Sequence, residues 1–224
     1  MNLFSIFKRS ASIPKDDPLS KLYLCHFEKR IPRKAPLRDL NFIVLDTETS
    51  GLDLKKDHLL SIAAIKIKNF EIDVASRFEA YFLHDNYIPD DSVKVHGILS
   101  NHLKSGTSEK EILLKFLEFI QNGIIVGHHI GFDLAMINKA LRFHFDLQLK
   151  NKSLDTAVLA KRIENTFDRG GKPDSLDTLC KRYNISLGKR HTASGDTFIT
   201  ALLFLKLLGR LERRGVNSLG TLMG

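Results

Sequence analysis

Residues 42–51 read Phe-Ile-Val-Leu-Asp-Thr-Glu-Thr-Ser-Gly, an apolar and partly β-branched run that leads into two carboxylates and a glycine turn. Alternate side chains of a strand point to the same face, so Asp46 and Glu48 would lie side by side at the end of a buried strand. Two like charges that close repel each other, and one is driven toward protonation unless a cation neutralises them. Hard oxygen ligands suit Mg²⁺ or Mn²⁺. The stretch therefore predicts a metal site, although an ordinary polar turn after a strand fits the same residues.

The composition is that of a globular chain with one domain of ordinary size. Its 224 residues are 43% hydrophobic and 27% charged, which is enough apolar material to bury a full core. The formal net charge is +8, and residues 1–40 hold nine Lys and Arg against four Asp and Glu. A basic chain with an acidic centre favours a polyanionic partner, nucleic acid foremost, although many basic proteins bind none.

The two cysteines, Cys25 and Cys180, lie far apart and have no histidines at zinc-binding spacing. This argues against a disulfide scaffold or a zinc site and favours a reducing compartment. No apolar run approaches the roughly 18 residues that span a bilayer, and residues 1–9 lack the long apolar segment of a leader. We therefore expect no membrane partner and a cytoplasmic location.

The pattern beyond residue 41 predicts an α/β fold. Strands are expected at 42–46, 59–67 and 72–82, and their succession without a helix predicts an antiparallel meander. Two short strands follow at 124–126 and 153–155. Helices are expected at 109–121 with Ser108 as N-cap, 132–143, 156–163, 175–183 and 193–214. A short helix is expected at 19–27, a helix or turn at 93–99, and a loop at 168–172.

Two further acidic residues stand at the starts of predicted helices. Asp133 follows the strand at 124–126 and lies in the first turn of the next helix. Asp196 lies in the first turn of the last long helix, five residues after His191, and a histidine can take up a proton near neutral pH. Taken singly, each segment also fits a helix cap or a solvated loop histidine, because carboxylates commonly stabilise helix N-termini.

The order of these residues is Asp-x-Glu on the first strand, Asp after a later strand, and His-x-Ala-x-x-Asp before the last long helix. This order resembles the DEDDh family of 3′–5′ exonucleases, the type found in the proofreading epsilon subunit of bacterial replicative polymerases, over about residues 41–208. Other stretches that look like family motifs are 46–52, Val95-His96-Gly97-Ile98, Gly127-His128 with Phe132-Asp133, 154–156 and 175–180. His129 stands where an asparagine is usual. Thr192 stands where the sister subfamily has a tyrosine, which indicates the histidine type.

The resemblance implies a ribonuclease H-like exonuclease fold, a mixed five-stranded sheet flanked by helices. The expected division is a basic N-terminal extension at 1–40, an exonuclease domain at 41–214 and a short tail at 215–224. In the family, Asp46, Glu48 and Asp196 would hold one ion, and Asp46 would bridge to a second with help from Asp133. His191 would act as general base. The expected cofactor is thus two Mg²⁺ or Mn²⁺ ions per site.

The resemblance also implies residues that contact the terminal nucleotide. Thr47 and Thr49 would lie against the substrate, with Thr49 meeting its 3′ end. Leu52 would wedge against the last base, and Phe132 would flank the sugar and base. Plain core packing remains open for Leu52 and Phe132, and a structural role remains open for His96, the other expected substrate contact.

The function implied by the resemblance is release of nucleoside 5′-monophosphates from DNA 3′ ends, in proofreading, repair or DNA turnover. Trimming of RNA ends or short oligoribonucleotides keeps the same chemistry and stays open. A silent nucleic-acid-binding module keeps the fold, but the presence of all five catalytic positions argues against it. Because the sequence ends at Gly224, soon after the last long helix, polymerase association is doubtful, and a free-standing repair or turnover enzyme is expected at least equally. The basic extension is expected to contact a nucleic-acid backbone or a partner.

Overall fold

The fold is built on a mixed sheet of five strands, in a computed structural model that describes residues 18–83, 103, 105–164, 174–188 and 190–224. The strands are β1 (Phe42–Thr49), β2 (Leu59–Lys68), β3 (Glu71–Tyr81), β4 (Ile124–Gly127) and β5 (Ser153–Asp155), in the order β3-β2-β1-β4-β5. The first three form the predicted antiparallel meander, and β4 and β5 run parallel to β1. The predicted mixed five-stranded sheet is confirmed. The elements expected at 93–99, with His96, and at 168–172 lie outside the described residues.

The helices lie close to the predicted bounds. They are α1 (Pro18–Cys25), α2 (Glu109–Ile120), α3 (Gly131–Phe145), α4 (Thr156–Glu164), α5 (Leu176–Arg182), α6 (Ala193–Glu212) and α7 (Leu219–Leu222). Ser108 caps α2 as predicted, because its side chain accepts a hydrogen bond from the Glu111 backbone N–H. Among the described residues, none of the helices combines the length and the apolar character that a membrane span requires.

The alternation of side chains along β1 divides the apolar core into two clusters, one on each face of the sheet. Phe42 and Val44 belong to the cluster that packs against α4, α5 and α6. Ile43 and Leu45 belong to the other cluster, which packs against α2 and α3. The next residues of β1 continue this alternation, so Asp46 and Glu48 lie on the α6 face and Thr47 lies on the α3 face.

Residues 18–40 and the end of the chain pack onto both faces of this domain. Tyr23 of α1 is 2% exposed and belongs to the α2–α3 cluster. Its hydroxyl donates to Asn151 Oδ1 at 2.6 Å and accepts from the Lys150 backbone N–H at 2.8 Å. Residues expected as a short tail include α7, whose Leu219 and Leu222 are buried in the opposite cluster. The described part of the extension is therefore held by core contacts as well as by hydrogen bonds.

Replacing Tyr23 with phenylalanine is expected to lower the free energy of unfolding by about 1–3 kcal/mol, because the Lys150 N–H and Asn151 Oδ1 would each lose a partner in a mostly buried site. Urea denaturation followed by circular dichroism measures the change. The matched control is Tyr183→Phe, since Tyr183 is also buried but its hydroxyl lies 3.5 Å from Glu164 Oε1, at the limit of a hydrogen bond. Equal losses in both variants would contradict the role given to Tyr23.

Candidate active site

Three of the predicted acidic ligands converge at the C-terminal end of β1. Asp46 and Glu48 project from the same face of the strand, and Asp196 comes from the first turn of α6. One carboxylate oxygen from each residue lies within 4.8 Å of the other two. Oxygen atoms this close can share one hard divalent cation, and an all-carboxylate donor set suits Mg²⁺ or Mn²⁺. The geometry therefore fits a metal site built from both β1 and α6.

Asp133, the fourth predicted acid, approaches from the opposite face of the sheet. It lies in the first turn of α3 and is 8% exposed. Its Oδ1 accepts two hydrogen bonds from Thr47, one from the backbone N–H at 2.9 Å and one from the side-chain hydroxyl at 2.7 Å. Asp133 is thus tied to the strand between the two β1 carboxylates. Its second oxygen, Oδ2, takes no part in these two bonds.

Burial raises the pKa of three acids at this site, Asp46, Glu48 and Asp133. Burial first, and then the charges of Asp133, Asp196 and Glu48, raise the pKa of Asp46 well above its ordinary value. Burial first, and then the charges of Asp196 and Asp133, raise the pKa of Glu48 to about 7. The pKa of Asp133 is raised to about 6 by burial, against the lowering effect of the hydrogen bonds from Thr47. At neutral pH the cluster therefore favours either a proton or a cation.

Arg190 is a cation that already faces the cluster. Its Nη1 pairs with Asp196 Oδ1, and its Nε donates to Asp177 Oδ1 at 2.7 Å. The Arg190 side chain is only 18% exposed. Its charge lowers the pKa of both Asp46 and Glu48, which offsets part of their mutual repulsion. Arg190 also ties the start of α6 to the first turn of α5, because Asp177 belongs to that turn.

His191, the predicted general base, lies on the loop between Arg190 and α6. Its backbone has a φ of 62°, in the left-handed region, and its side chain is exposed. Thr192 follows as the N-cap of α6, because its hydroxyl accepts from the Gly195 N–H at 3.1 Å. The imidazole is therefore carried by an exposed turn whose two neighbours are fixed, one by an ion pair to Asp196 and the other by the helix cap.

The loop between β1 and β2 carries the predicted substrate contacts Thr49 and Leu52. The Thr49 hydroxyl donates to the Gly51 carbonyl at 2.8 Å, and Ser50 Oγ donates to Asp57 Oδ1 at 2.8 Å. A Cβ on Gly51 would come within 2.5 Å of the Asp57 carboxylate, so a larger residue here would displace that side chain from its hydrogen bond with Ser50. Leu52 is 83% exposed, which excludes core packing as its role.

Phe132 differs from Leu52 because it is partly buried and packs against the α2–α3 cluster. The loop before it is fixed by the backbone N–H of His129, which donates to Asp155 Oδ1 at 3.2 Å. His129 has a φ of 56°, a left-handed conformation in which asparagine is enriched, and its side chain is exposed. A histidine at this position is therefore compatible with the backbone hydrogen bond of this loop.

His128, by contrast, is turned inward. Its Nδ1 lies 2.9 Å from the Thr156 hydroxyl, and burial lowers its pKa to about 4. The imidazole is therefore neutral at pH 7, and it joins the loop after β4 to the start of α4.

The structure brings Asp46, Glu48 and Asp196 together, places Asp133 beside them through Thr47, and puts His191 next to the residue that pairs with Asp196. Sequence reasoning missed Arg190 and its bridge to Asp177. The available indication was a basic residue directly before the His-x-Ala-x-x-Asp segment. The sequence does not show whether Arg190 or the adjacent Lys189 would pair with the acids.

Comparison with known proteins identifies the family. The family model described as Exonuclease matches residues 43–204, well over half of the chain, and the chain belongs to this family. The DNA polymerase III PolC-type protein of Bacillus subtilis is 30% identical over 182 residues, which cover 81% of this chain and 12% of that protein. A DNA polymerase III subunit epsilon-like protein of Rhodobacter capsulatus is 32% identical over 196 residues, which cover 85% of this chain and 27% of that protein. The chain thus spans between about an eighth and a quarter of these two relatives.

Solved structures confirm the predicted ribonuclease H-like exonuclease fold. Escherichia coli exonuclease I in complex with a dT13 oligonucleotide superposes with a TM-score of 0.65 at 18% identity, over 79% of this chain and 43% of that protein. Cell-death related nuclease 4 superposes with a TM-score of 0.64 at 10% identity, over 77% of this chain and 64% of that protein. At these identities the likeness concerns the fold.

The raised pKa of Glu48 makes the stability of the metal-free protein depend on pH. Between about pH 4.5 and 7 the unfolded chain ionises Glu48 while the folded chain keeps it protonated, so the free energy of unfolding falls as pH rises. Glu48→Gln removes this contribution. We expect its stability relative to wild type to increase from about pH 4 to about pH 8 by an amount on the order of a few kcal/mol.

Urea denaturation in chelator measures this difference, and the contribution of His128, which has the opposite sign, cancels between wild type and variant. Glu118→Gln is the control, because Glu118 is exposed on α2. A stability difference between Glu48→Gln and wild type that stays constant with pH would contradict the account of the acidic cluster.

Proposed function

We propose that the chain is a metal-dependent 3′–5′ exonuclease of the DEDDh type, which acts in the cytoplasm and releases nucleoside 5′-monophosphates from DNA 3′ ends in proofreading, repair or DNA turnover. The observation that carries the proposal is the meeting of Asp46, Glu48 and Asp196 within 4.8 Å at the end of β1. Membership of the exonuclease family supports nuclease chemistry. Two relatives named for DNA polymerase III and a fold neighbour solved with a DNA oligonucleotide support DNA as the substrate.

Asp46, Glu48 and Asp196 would hold one divalent ion, and Asp46 with Asp133 would hold a second. Bound there, two such ions would lower the pKa of a water molecule and stabilise the charge on the attacking and leaving oxygens of a phosphodiester. Thr47 keeps Asp133 oriented through two hydrogen bonds, so its carboxylate needs little rearrangement to serve as a ligand. Arg190 neutralises part of the charge on Asp196 and holds the start of α6 in place.

His191 would accept the proton of the attacking water as general base. Its position on an exposed turn leaves the imidazole accessible to solvent and to an attacking water. The leaving group would be the 3′ oxygen of the penultimate nucleotide. Leu52 would lie against the terminal base, since an exposed leucine on a fixed loop offers an apolar surface that reads no sequence. Thr49 and Phe132 would bound the same pocket.

Asp46→Asn and Asp196→Asn are each expected to lower magnesium-dependent hydrolysis by at least about a hundredfold, because each removes a ligand charge from the cluster. The assay follows single-stranded DNA labelled at its 3′ or 5′ end, with magnesium and with chelator. A 3′–5′ exonuclease releases the 3′ label at once as a mononucleotide and shortens the 5′-labelled strand stepwise. Asp146→Asn is the matched control, because Asp146 is exposed and asparagine tolerates its left-handed backbone.

Near wild-type hydrolysis in either cluster variant would refute the assignment of the acids. Mismatched duplex DNA and single-stranded RNA, digested side by side under the same conditions, identify the substrate. Faster hydrolysis of RNA than of DNA would refute the DNA assignment and leave the chemistry in place.

His191→Ala is expected to lose about 10²–10⁴-fold in rate near pH 7, the usual contribution of a general base. The loss should shrink as the pH rises toward 9–10, because hydroxide then replaces the base. The pH–rate profile of the variant measured against wild type tests this. His26→Ala provides the control, since His26 follows α1, which packs on the α2–α3 face of the sheet and not on the α6 face. A His191→Ala profile parallel to that of wild type would remove His191 from the mechanism.

A further inference from the structure

A second charged surface lies near the N-terminal ends of β1 and β4, whereas the acidic cluster lies at the C-terminal end of β1. A cavity of about 490 Å³ opens where the segment after α1 meets the starts of β4 and β5. Ile124, the first residue of β4, lines this cavity and pairs in register with Phe42, the first residue of β1. Asp46 and Glu48 stand four and six residues further along β1, which places them roughly 13–20 Å away along the strand. The cavity is therefore separate from the candidate active site. We call it the basic pocket.

Positive charge dominates the basic pocket. Five of its lining residues are cationic, none is acidic, and none of the five forms an ion pair with another described residue. Two segments distant in sequence contribute them: Lys29, Arg30, Arg33, Lys150 and Lys152. Cations gathered with no acidic residue among the described lining repel one another, so the pocket favours a ligand with several negative charges.

The walls of the basic pocket are fixed by hydrogen bonds. The Lys150 N–H donates to the Tyr23 hydroxyl at 2.8 Å, and the Lys152 carbonyl accepts from the Ile125 N–H at 2.8 Å. Asn122 Nδ2 donates to the His26 carbonyl at 3.0 Å, which ties the end of α1 to the loop before β4. The backbones that carry the cations are thus held before any ligand binds.

An aromatic ring completes the basic pocket. Phe27 lines it, is partly buried, and packs edge-on against Tyr23 with ring centroids 5.1 Å apart. Cations that follow a phosphate backbone, combined with an aromatic ring on which a base can stack, are the two elements of single-strand nucleic-acid binding. An acidic peptide would use the charges and not the ring, and a membrane surface would not enter a cavity.

We propose that the basic pocket binds the phosphodiester backbone of a single-stranded nucleic acid, with a base stacked on Phe27. The bound strand would lie at the end of β1 that is opposite the acidic cluster. This inference deepens the proposed function, on which it rests for the class of ligand. The described part of the basic extension and the starts of β4 and β5 would then hold the nucleic acid at a distance from the 3′ end that is hydrolysed.

The test measures binding of fluorescent oligo(dT) and oligo(U), each of about 30 nucleotides, to the full chain in chelator by anisotropy over a range of salt concentrations. Lys150→Gln/Lys152→Gln should weaken binding about tenfold or more at low salt. It should also reduce the slope of log K against log[salt] by about 1.4 in magnitude, since each phosphate contact on a single strand contributes about 0.7. The matched control is Lys110→Gln/Lys181→Gln, which removes the same charge from exposed positions of α2 and α5.

Phe27→Leu provides a second variant, which keeps an apolar side chain against Tyr23 and loses the stacking face. We expect it to weaken binding at least about fivefold with an unchanged salt slope. Binding of oligo(dT) or of oligo(U) that depends on the basic pocket supports the inference. Equal losses in the pocket and control double variants, an unaffected Phe27→Leu, or polyglutamate competing as well as oligo(dT) at equal charge would each overturn it.

Metal-dependent hydrolysis does not affect the measured binding, because the assay contains chelator. A chain that binds through the basic pocket but does not degrade DNA with magnesium would retain this inference and refute the proposed function. A chain that degrades DNA but whose affinity for oligonucleotides is unchanged in the basic-pocket variants would refute this inference alone.

Discussion

Repulsion between carboxylates held close together at the end of one strand is the constraint around which the candidate site is built. Strand alternation forces Asp46 and Glu48 onto one face, and α6 brings Asp196 to the same place. Burial adds to this cost, because loss of solvent disfavours the charged forms and raises the pKa of Asp46 and Glu48 together with the neighbouring charges. Arg190, which pairs with Asp196, neutralises part of this negative charge. A divalent cation would complete the neutralisation, so the arrangement that is unfavourable in the empty site becomes the source of affinity for the ion.

Most of the fold could be predicted from the sequence, because the elements that form the sheet have strong local patterns. The apolar run of β2, the apolar stripe of α2 and its Ser108 cap each predict their element, although β2 is buried along most of its length and not on alternate residues only. The two core clusters follow from the alternation along β1, which sends even-numbered residues toward α6 and odd-numbered residues toward α3. β1 runs three residues further than expected, through Thr49, because pairing with β2 continues past the point where apolar character ends.

The candidate site was predicted from the order of short motifs, and its supporting contacts were not. The bridge of Arg190 to Asp177 and Asp196, and the hold of Thr47 on Asp133, join residues that are 6 to 86 positions apart and carry no local pattern. The same reason explains the anchoring of the extension by Tyr23, which bonds to residues more than a hundred positions away. Local sequence predicts elements and their ends, whereas such pairings depend on how the finished elements meet.

The central claim is that the three carboxylates form a site for divalent cations. Crystals of the chain grown with Mn²⁺ and measured at the manganese absorption edge test it most directly. We expect anomalous density within about 2–2.5 Å of oxygen atoms of Asp46, Glu48 and Asp196, and its loss in crystals of Asp46→Asn. Anomalous density found only elsewhere on the chain, with the three carboxylates unoccupied at saturating Mn²⁺, would contradict it.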